Sequence, residues 1–275
     1  MEPMSIRDKR LHLEMGKVVY GPVRSRRFGL SLGINPLPLM RKTCSFDCVY
    51  CQLGRTDNPL VDPGGLKDYP TPSRIADSLR CKLKSPGLNP DEIDVVTFSG
   101  NGEPTLNPKL GESVRRVREV LGEFGLDVPI IILTNSSLLG CGRVREGLAE
   151  FDLVVAKLDT ADQERFLRIN RPVVDMEVMD IIKHLATLKK LIGDRLIVQV
   201  MVIDSTDEGL RNYGPEEASR MAELLSGVNP KLVQVYTIDR PPSESSVFKA
   251  SGEKLSIVAE ALKERLGEDR VKVYY

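Results

Sequence analysis

Three cysteines, Cys44, Cys48 and Cys51, follow the spacing C-x3-C-x2-C in one short stretch, which we call the cysteine loop (residues 44–51). The loop supplies three thiolates, whereas a closed structural metal site takes four ligands, so one metal position is left open for chemistry. Soft thiolates at this spacing suit a cubic [4Fe-4S] cluster in which one iron has no protein ligand.

Two other kinds of site compete with the cluster at this loop. A zinc site needs a fourth ligand, which Cys81, Cys141 or one of the two histidines, His12 and His184, would have to supply from a distance in sequence. A redox dithiol uses the last two cysteines of the loop and leaves the first without a role. Since Cys81 and Cys141 stand alone in the sequence, we expect no second cluster on them.

The bulk composition excludes several classes of protein. The chain has 275 residues, of which 41% are hydrophobic, so it is long enough for one large core, and we expect a single domain over residues 1–275. Basic and acidic residues number 39 each, which argues against a nucleic-acid-binding field over the whole surface. The cysteines do not form the dispersed framework of a secreted disulfide protein, and no apolar run suits a membrane span or a signal peptide. We therefore expect a cytoplasmic protein with no membrane partner.

The elements that must position the cysteine loop follow from the hydrophobic periodicity. Short apolar runs alternate with amphipathic stretches, as in parallel strands joined by helices. Strands are predicted at residues 27–34, 94–99, 129–134, 153–158, 195–203, 232–236 and 271–275. Helices are predicted at residues 108–124, 143–151, 176–192, 215–225 and 254–266. Without the final strand at 271–275, the number of strands suits a partial, open α/β barrel. A flat doubly wound sheet is the alternative, because the spacing of the elements does not separate the two folds.

Polar residues follow the ends of the predicted strands, where both of these folds collect their chemistry. A plain hydrophobic core would not require polar residues at successive strand ends. Beside the cysteine loop, which follows the first strand, these are residues 99–103, Thr134, Asn135, Ser136, Lys157, Asp159, Asp239 and Arg240.

The cysteine loop, with Tyr50 directly before its last cysteine, resembles the signature of the radical S-adenosylmethionine (SAM) superfamily. Two further elements of that family follow in order. Residues 94–104 resemble a strand ending in Gly-Gly-Glu-Pro, although Asn101 separates the two glycines here, and residues 134–136 resemble a strand ending that is often Thr-Asn-Gly. The resemblance covers roughly residues 20–245.

The resemblance implies a partial (β/α)6 barrel, similar to a TIM barrel, as the radical SAM core, with a C-terminal helix and strand in residues 250–275. It also implies a [4Fe-4S] cluster on Cys44, Cys48 and Cys51, with SAM bound to the fourth iron. In this family one electron from the cluster cleaves SAM to methionine and a 5′-deoxyadenosyl radical, which abstracts a hydrogen atom from the substrate. An electron donor such as ferredoxin or flavodoxin is then a partner.

The resemblance further indicates which residues bind SAM. The segment 99–103 is expected to meet the methionyl amine, since glycines let a backbone approach a ligand closely. Tyr50 is expected to pack on the adenine and Phe46 to shield the cluster, although both aromatic residues also suit plain loop anchors. Gln199 is expected to face the barrel interior. The full set expected to contact SAM is Tyr50, Ser99, Gly100, Asn101, Gly102, Glu103, Asn135, Ser136, Lys157 and Gln199.

Several members of this set have a structural alternative. Asn135 and Ser136 are of the type that bonds ribose hydroxyls or the SAM carboxylate, and Ser136 or Ser137 equally suits a helix N-cap. Lys157 lies in an apolar strand, where an unpaired ammonium is costly. It either neutralises a carboxylate of SAM or substrate or pairs with Asp159.

A basic segment precedes the cysteine loop. Residues 15–45 contain no Asp or Glu but several basic residues, which are Lys17, Arg24, Arg26, Arg27, Arg41 and Lys42. A cationic patch beside a reactive loop favours an anionic substrate such as RNA phosphate, a nucleotide or a carboxylate, although charge runs also form solvated surfaces. We expect Arg168 and Arg171 to add to this patch. The substrate candidates are Arg26, Arg27 and Arg240.

At a finer level, Ser-Arg-Arg-x-Gly-x-Ser-Leu-Gly-Ile-Asn before the cysteine loop and Arg-Pro-Pro near the end are similar to a group of archaeal and bacterial radical SAM proteins related to wybutosine-synthesis tRNA enzymes. Three functions are open. The first is modification of tRNA or a nucleotide, and the second is action on a protein or peptide as an activase or modifying enzyme. The third is a non-catalytic iron-sulfur electron carrier, against which the strand-end motifs argue.

Overall fold

A curved sheet of mostly parallel strands forms the centre of the computed structural model, which describes residues 16–275. The strands are β1 (Val19–Ser25), β2 (Gly29–Ile34), β3 (Thr43–Cys44), β4 (Asn58–Pro59), β5 (Val95–Phe98), β6 (Ile130–Thr134), β7 (Leu153–Lys157), β8 (Leu196–Ser205), β9 (Leu232–Thr237), β10 (Val247–Lys249) and β11 (Val271–Tyr274). The α-helices in the same residues are α1 (Pro72–Leu83), α2 (Leu110–Glu123), α3 (Gly142–Leu148), α4 (Gln163–Ile169), α5 (Val178–Ile192), α6 (Pro215–Val228) and α7 (Gly252–Leu266).

The strand order establishes the type of fold. The main sheet runs β1-β2-β5-β6-β7-β8-β9-β11, with β10 paired to β8, while β3 and β4 form a separate pair. In the main sheet every pair is parallel except two, β1 with β2, which form an antiparallel hairpin, and β10 with β8. From β2 to β9 the order in the sheet follows the order in the chain, with a helix between successive strands. A doubly wound sheet reverses its strand order, so that alternative is wrong and the predicted partial barrel is confirmed.

The two faces of the parallel strands differ in character. Alternate residues of each strand pack against the helices in the main hydrophobic core. The residues between them face the barrel interior, where Val95, Val155 and Ile197 belong to a separate apolar plug. Lys157 lies two residues after Val155 on β7, and Gln199 lies two residues after Ile197 on β8. These two polar residues are paired in the register of β7 with β8. The interior is therefore apolar at the amino ends of the strands and polar towards their carboxyl ends.

The predicted strands and helices from residue 94 onward agree with the structure to within a few residues, and the final strand, β11, pairs parallel with β9. The elements that were not predicted are β1, β3, β4, α1, α4 and β10. Of these, α1 begins with Pro72 after the N-cap Thr71, whose side-chain oxygen accepts a hydrogen bond from Arg74 N at 3.2 Å.

None of the helices within residues 16–275 is long and apolar enough to cross a membrane. His12, which was considered as a zinc ligand, lies outside the described residues. The same holds for most of the N-terminal stretch that was searched for a signal peptide.

Candidate functional site

The cysteine loop lies at the carboxyl ends of the strands and is attached on two sides. On one side, Thr43 forms a bridge with Gly102, which follows β5. On the other side, Phe46 forms a bridge with Pro172, which follows α4. The Phe46 side chain is 2% exposed and packs edge-on against Phe166, with 5.6 Å between the ring centroids. Phe46 thus anchors the loop in the hydrophobic core.

The thiols of the loop have amide donors beside them. Cys44 is buried, and the other two cysteines of the loop are half-buried. The side-chain Nδ2 atoms of Asn135 and Asn170 each lie 3.6 Å from a sulfur, that of Cys44 and that of Cys48 respectively. Burial raises the pKa of both thiols, that of Cys48 to about 11, although the Lys157 charge acts in the opposite direction on Cys48. Bare thiolates are therefore unfavourable here unless a cationic group binds them.

Gly100 and Gly102 approach protein atoms closely. A Cβ at Gly102 would lie 1.7 Å from the carbonyl oxygen of Thr43, and a Cβ at Gly100 would lie 2.3 Å from Asn35 Oδ1. Both residues have a positive φ, 141° at Gly100 and 140° at Gly102, which side chains rarely adopt. Asn101 between them is buried and donates to two backbone carbonyls of the segment before the cysteine loop. The glycine backbone was expected to approach a ligand closely, and in the structure it approaches Thr43 and Asn35.

Glu103 is 1% exposed, and its carboxylate is occupied by protein donors. One oxygen accepts from Thr105 N at 3.1 Å, from Thr105 Oγ1 at 2.6 Å and from Thr134 Oγ1 at 2.7 Å. The other accepts from Asn135 N at 2.6 Å. Burial raises the pKa of this carboxyl, and the donors reduce the shift. Glu103 thus joins the segment after β5 to the end of β6.

Ser136 is fully buried and has a φ of 73°, in the left-handed region that glycine adopts readily. This conformation is the physical reason why glycine suits the same position in the related Thr-Asn-Gly pattern. The Ser136 hydroxyl donates to Lys157 O at 2.7 Å, and Ser137 shares a hydrogen bond of 2.6 Å with Ser45 Oγ. Since α3 begins only at Gly142, neither serine caps a helix, and that alternative is wrong.

A polar network connects Cys48 to the barrel interior. The Tyr50 hydroxyl donates to the Asp159 carboxylate and accepts from Lys157 Nζ at 2.9 Å. Asn170 donates to Asp159 Oδ2 at 2.9 Å and to the Tyr50 hydroxyl at 3.2 Å. Lys157 Nζ is 3.9 Å from Asp159 Oδ2, so the ion pair considered as an alternative for Lys157 is present. Burial lowers the pKa of Lys157, but nearby negative charges, that of Asp159 foremost, outweigh it and raise the pKa.

A cavity of about 370 Å³ opens beside Cys51 on the interior side of the barrel. Of the residues expected to contact SAM, Tyr50, Ser99 and Gly100 line this cavity. Its remaining wall includes apolar side chains, among them Met201. The volume and the mixed polar and apolar lining are typical of a small-molecule site.

Four of the other residues expected to contact SAM are enclosed by protein instead. Asn101, Glu103 and Ser136 have the protein partners described above. Gln199 faces the barrel interior as predicted, but it is 3% exposed and its Nε2 donates to Gln234 Oε1 at 2.8 Å. None of these four residues lines the cavity.

The tip of the β1–β2 hairpin also borders the cavity. The arginines that line it are Arg24, Arg26, Arg27 and Arg240. Arg26 donates to the carbonyl oxygens of Thr237 and Tyr275, and the Arg27 guanidinium lies 4.2 Å from the centroid of the Tyr236 ring. These contacts join the hairpin to β9 and to Tyr275, which follows β11 at the other edge of the sheet.

The other basic residues do not join this set. Arg168 pairs with Asp207 at 2.6 Å, and Arg171 pairs with Glu244 at 2.7 Å. Lys42, which was expected in a surface patch, is only 2% exposed, and its Nζ donates to Gly54 O, three residues after the last cysteine of the loop. The predicted patch is therefore divided between ion pairs, a buried lysine and the arginines of the cavity.

A site for a single metal ion does not form from the side chains described. Within residues 16–275, no three His, Cys, Asp or Glu side chains converge as ligands of one ion. Cys81, on α1, and Cys141, just before α3, are both exposed. A cubic cluster requires a different arrangement, because each thiolate binds its own iron and the sulfurs do not meet at one point.

The sequence itself decides the family. The family model described as the Radical SAM superfamily matches residues 40–213, more than half of the chain. The chain belongs to the radical SAM superfamily. It is accordingly a radical SAM enzyme, and the cofactors of this superfamily are a [4Fe-4S] cluster and SAM.

The chain is also similar to a relative of known sequence and to solved structures. A UPF0026 protein of Methanocaldococcus jannaschii is 34% identical over 256 residues, which cover 93% of this radical SAM chain and 74% of the relative. A radical SAM methyltransferase from Sphaerobacter thermophilus has a TM-score of 0.61 at 16% identity, over 89% of this chain and 66% of that chain. SuiB of Streptococcus suis, bound to S-adenosylmethionine, has a TM-score of 0.61 at 13% identity, over 88% of this chain and 50% of that chain. At these identities the two structures share the fold.

Three observations support binding of a radical SAM cluster by the cysteine loop. The loop offers three thiols and no fourth, two of its sulfurs have amide donors at 3.6 Å, and burial calls for a cationic group at Cys44 and Cys48. Of the two donors, Asn135 was predicted as a site residue from its strand end. Asn170 was missed, because its contact with Cys48 bridges 122 positions of sequence and no local pattern announces it.

Proposed function

We propose that Cys44, Cys48 and Cys51 bind the [4Fe-4S] cluster of this radical SAM enzyme and that SAM binds in the cavity beside Cys51. When bound, these cofactors supply a 5′-deoxyadenosyl radical that abstracts a hydrogen atom from the substrate. The observation that carries the proposal is the shared cavity, which Tyr50 and Ser99 line together with Cys51, the last cysteine of the loop.

The residues of the chain would hold and orient these groups. Asn135 and Asn170 donate to sulfurs of the cysteine loop, which stabilises negative charge on the thiolates. The side chains of Leu133 and Met201 offer an apolar wall suited to an adenine ring, and Tyr50 borders the same wall. Tyr50 is kept in position by its bonds to Asp159 and Lys157, so its ring is already oriented before a ligand binds.

The charge around the cavity supports an anionic substrate. Arg24 and Arg27 line the cavity, and within residues 16–275 neither has an ion pair to an acid. The Arg27 guanidinium lies over the Tyr236 ring, and its Nε has no hydrogen-bond partner among the described residues. An arginine held over an aromatic ring, with a donor to spare, suits a phosphate next to a base. We therefore infer RNA or a nucleotide as the substrate class, in preference to a protein or peptide.

The test is binding of the purified protein to a tRNA mixture across a series of salt concentrations. We expect affinity to fall as salt rises, with a log–log slope of about −0.9 per phosphate contact on duplex and about −0.7 on single strands. The double variant Arg24→Ala and Arg27→Ala should bind more weakly and with a shallower slope. A matched control is Arg116→Ala, because Arg116 is an exposed arginine on α2 paired with Glu119.

Two outcomes would count against the RNA proposal. One is a wild-type protein that is not retained on RNA at low salt. The other is a cell-extract pull-down that recovers a protein and no RNA, which would favour the protein-modifying function instead.

A further inference from the structure

Lys42 is a buried cation two residues before the cysteine loop. Its side chain is 2% exposed, and it is the only lysine of residues 16–275 in the buried class. Its Nζ donates to Gly54 O at 2.7 Å and lies 3.5 Å from Asp47 Oδ1. Taking an ammonium out of water costs several kcal/mol unless opposite charge compensates it. The surroundings of Lys42 must therefore supply negative charge.

Asp47 by itself compensates Lys42 poorly. The Asp47 carboxylate also accepts from Thr56 N at 2.7 Å and from Arg55 at 3.2 Å, so it is shared between two cations. Burial lowers the pKa of Lys42, but the pKa is nevertheless raised, first by Cys51 and then by the other two cysteines of the loop, with Asp47 last. The geometry agrees with this, because Gly54, whose carbonyl oxygen accepts from Lys42 Nζ, donates through its own N to Cys51 O at 3.1 Å, and Asp47 directly precedes Cys48.

A purely structural role does not require a charge at this position. The segments on either side of the loop are already joined without the ammonium, since Asn58 N donates to Lys42 O at 2.9 Å and Lys42 N donates to Asp57 Oδ2 at 3.1 Å. The pairing of β3 with β4 adds the register of Thr43 with Asn58 and Cys44 with Pro59. An unbranched apolar side chain such as methionine would fill the same space without a buried charge.

We propose that Lys42 sets the reduction potential of the cluster by holding a buried positive charge against the segment that carries the three cysteines. This inference rests on the cluster site assigned under the proposed function. A cluster gains a negative charge when it is reduced, and a cation fixed in a poorly screened site stabilises the more negative state. Lys42 therefore raises the potential and makes the electron easier to load.

The experiment is a redox titration of the reconstituted protein without SAM, followed by electron paramagnetic resonance of the reduced cluster. In Lys42→Met, which removes the charge and keeps the length, we expect the ratio of reduced to oxidised cluster at the wild-type midpoint to fall at least tenfold, which corresponds to a shift of about 59 mV for one electron. Lys42→Arg keeps the charge and should stay near the wild type. Lys189→Met is the matched control, because Lys189 is 17% exposed and pairs with Asp194 at 2.6 Å on α5.

A second variant keeps the inference testable if Lys42→Met cannot hold iron. Asp47→Asn leaves the ammonium in place and removes the acid nearest to it, so the potential should rise. An unchanged potential in Lys42→Met overturns the inference. The inference is also overturned if Asp47→Asn leaves the potential unchanged while Lys42→Met loses both its iron and its apo fold. That combination is expected if Lys42 has only a structural role. A wild-type protein that forms no cluster would refute the cluster site itself, and not the role of Lys42.

Discussion

The contact between Gly102 and Thr43 is the point at which the segment after β5 supports the cysteine loop, and Gly102→Ala should disrupt it. The new Cβ would lie 1.7 Å from Thr43 O and 2.5 Å from Thr43 C, which is inside any allowed contact, and those atoms are backbone. The two segments must therefore move apart. Thr43 directly precedes Cys44, so the displacement reaches a proposed cluster ligand.

The cost follows from three contributions. A side chain at a φ of 140° adds about 1–3 kcal/mol of backbone strain. Separation of the segments weakens two hydrogen bonds, Thr43 N to Asn101 O at 2.8 Å and Glu103 N to Thr43 O at 3.1 Å, each of which contributes about 1 kcal/mol. We expect Gly102→Ala to lower the free energy of unfolding by about 3–5 kcal/mol. Gly87→Ala is the matched control, because Gly87 has a φ of 83° and nothing within 4 Å of the added Cβ, so only the strain remains.

The assay compares urea denaturation of the two apo variants and their iron content after reconstitution. Gly102→Ala should be less stable than Gly87→Ala by about 2 kcal/mol or more and should bind less iron, since two hydrogen bonds and the clash separate the variants. If both variants unfold at the same urea concentration and bind the same iron as the wild type, the support of the cysteine loop by Gly102 is refuted.

Three further predictions follow from other parts of the structure. Alanine at any one of the three loop cysteines should abolish the brown iron-sulfur absorbance, while Cys81→Ala with Cys141→Ala should retain it; loss in that pair would mean a different ligand set. Asn170→Ala should cost about 2–3 kcal/mol in urea denaturation, since buried acceptors lose their donor, and a change below about 0.5 kcal/mol would contradict the network. Burial raises the pKa of Asp204, but hydrogen bonds, that from Lys254 foremost, outweigh it and lower the pKa. The stability that Asp204 contributes is therefore present above the usual pKa range of a carboxyl group and is lost as the pH falls through the lowered pKa. Asp204→Asn should make the free energy of unfolding depend less steeply on pH in the acid range. An unchanged dependence would refute this.

The fold was predictable wherever hydrophobic periodicity was regular. The strand–helix alternation after residue 94 predicts parallel strands, and the structure has them within a few residues. The hairpin strand β1 was missed because Pro22 interrupts its pattern and a register shift follows Tyr20, and both features obscure a strand in sequence. Helix α1 was missed although its apolar residues Ile75, Leu79 and Leu83 recur every four positions, a signal that the sequence does contain.

The candidate site was predictable where its residues are local in sequence. The spacing of the three cysteines lies within one loop, and the polar strand ends follow from the fold. The roles of individual side chains depend on neighbours that are distant in sequence and could not be predicted. Glu103 faces Thr134 and Asn135, 31 and 32 positions away, and Lys42 turns inward to Gly54 instead of outward to solvent. A run of basic residues looks the same in the sequence whether its side chains face solvent or are buried.

The most direct test of the account is the formation of 5′-deoxyadenosine from SAM by the reconstituted protein under a chemical reductant. We predict that wild-type protein with a full cluster forms 5′-deoxyadenosine in a SAM-dependent manner. Cys48→Ala, prepared in the same way, should form none. Wild-type protein that holds a complete, reduced cluster and still forms no 5′-deoxyadenosine would contradict the account and would favour an iron-sulfur electron carrier.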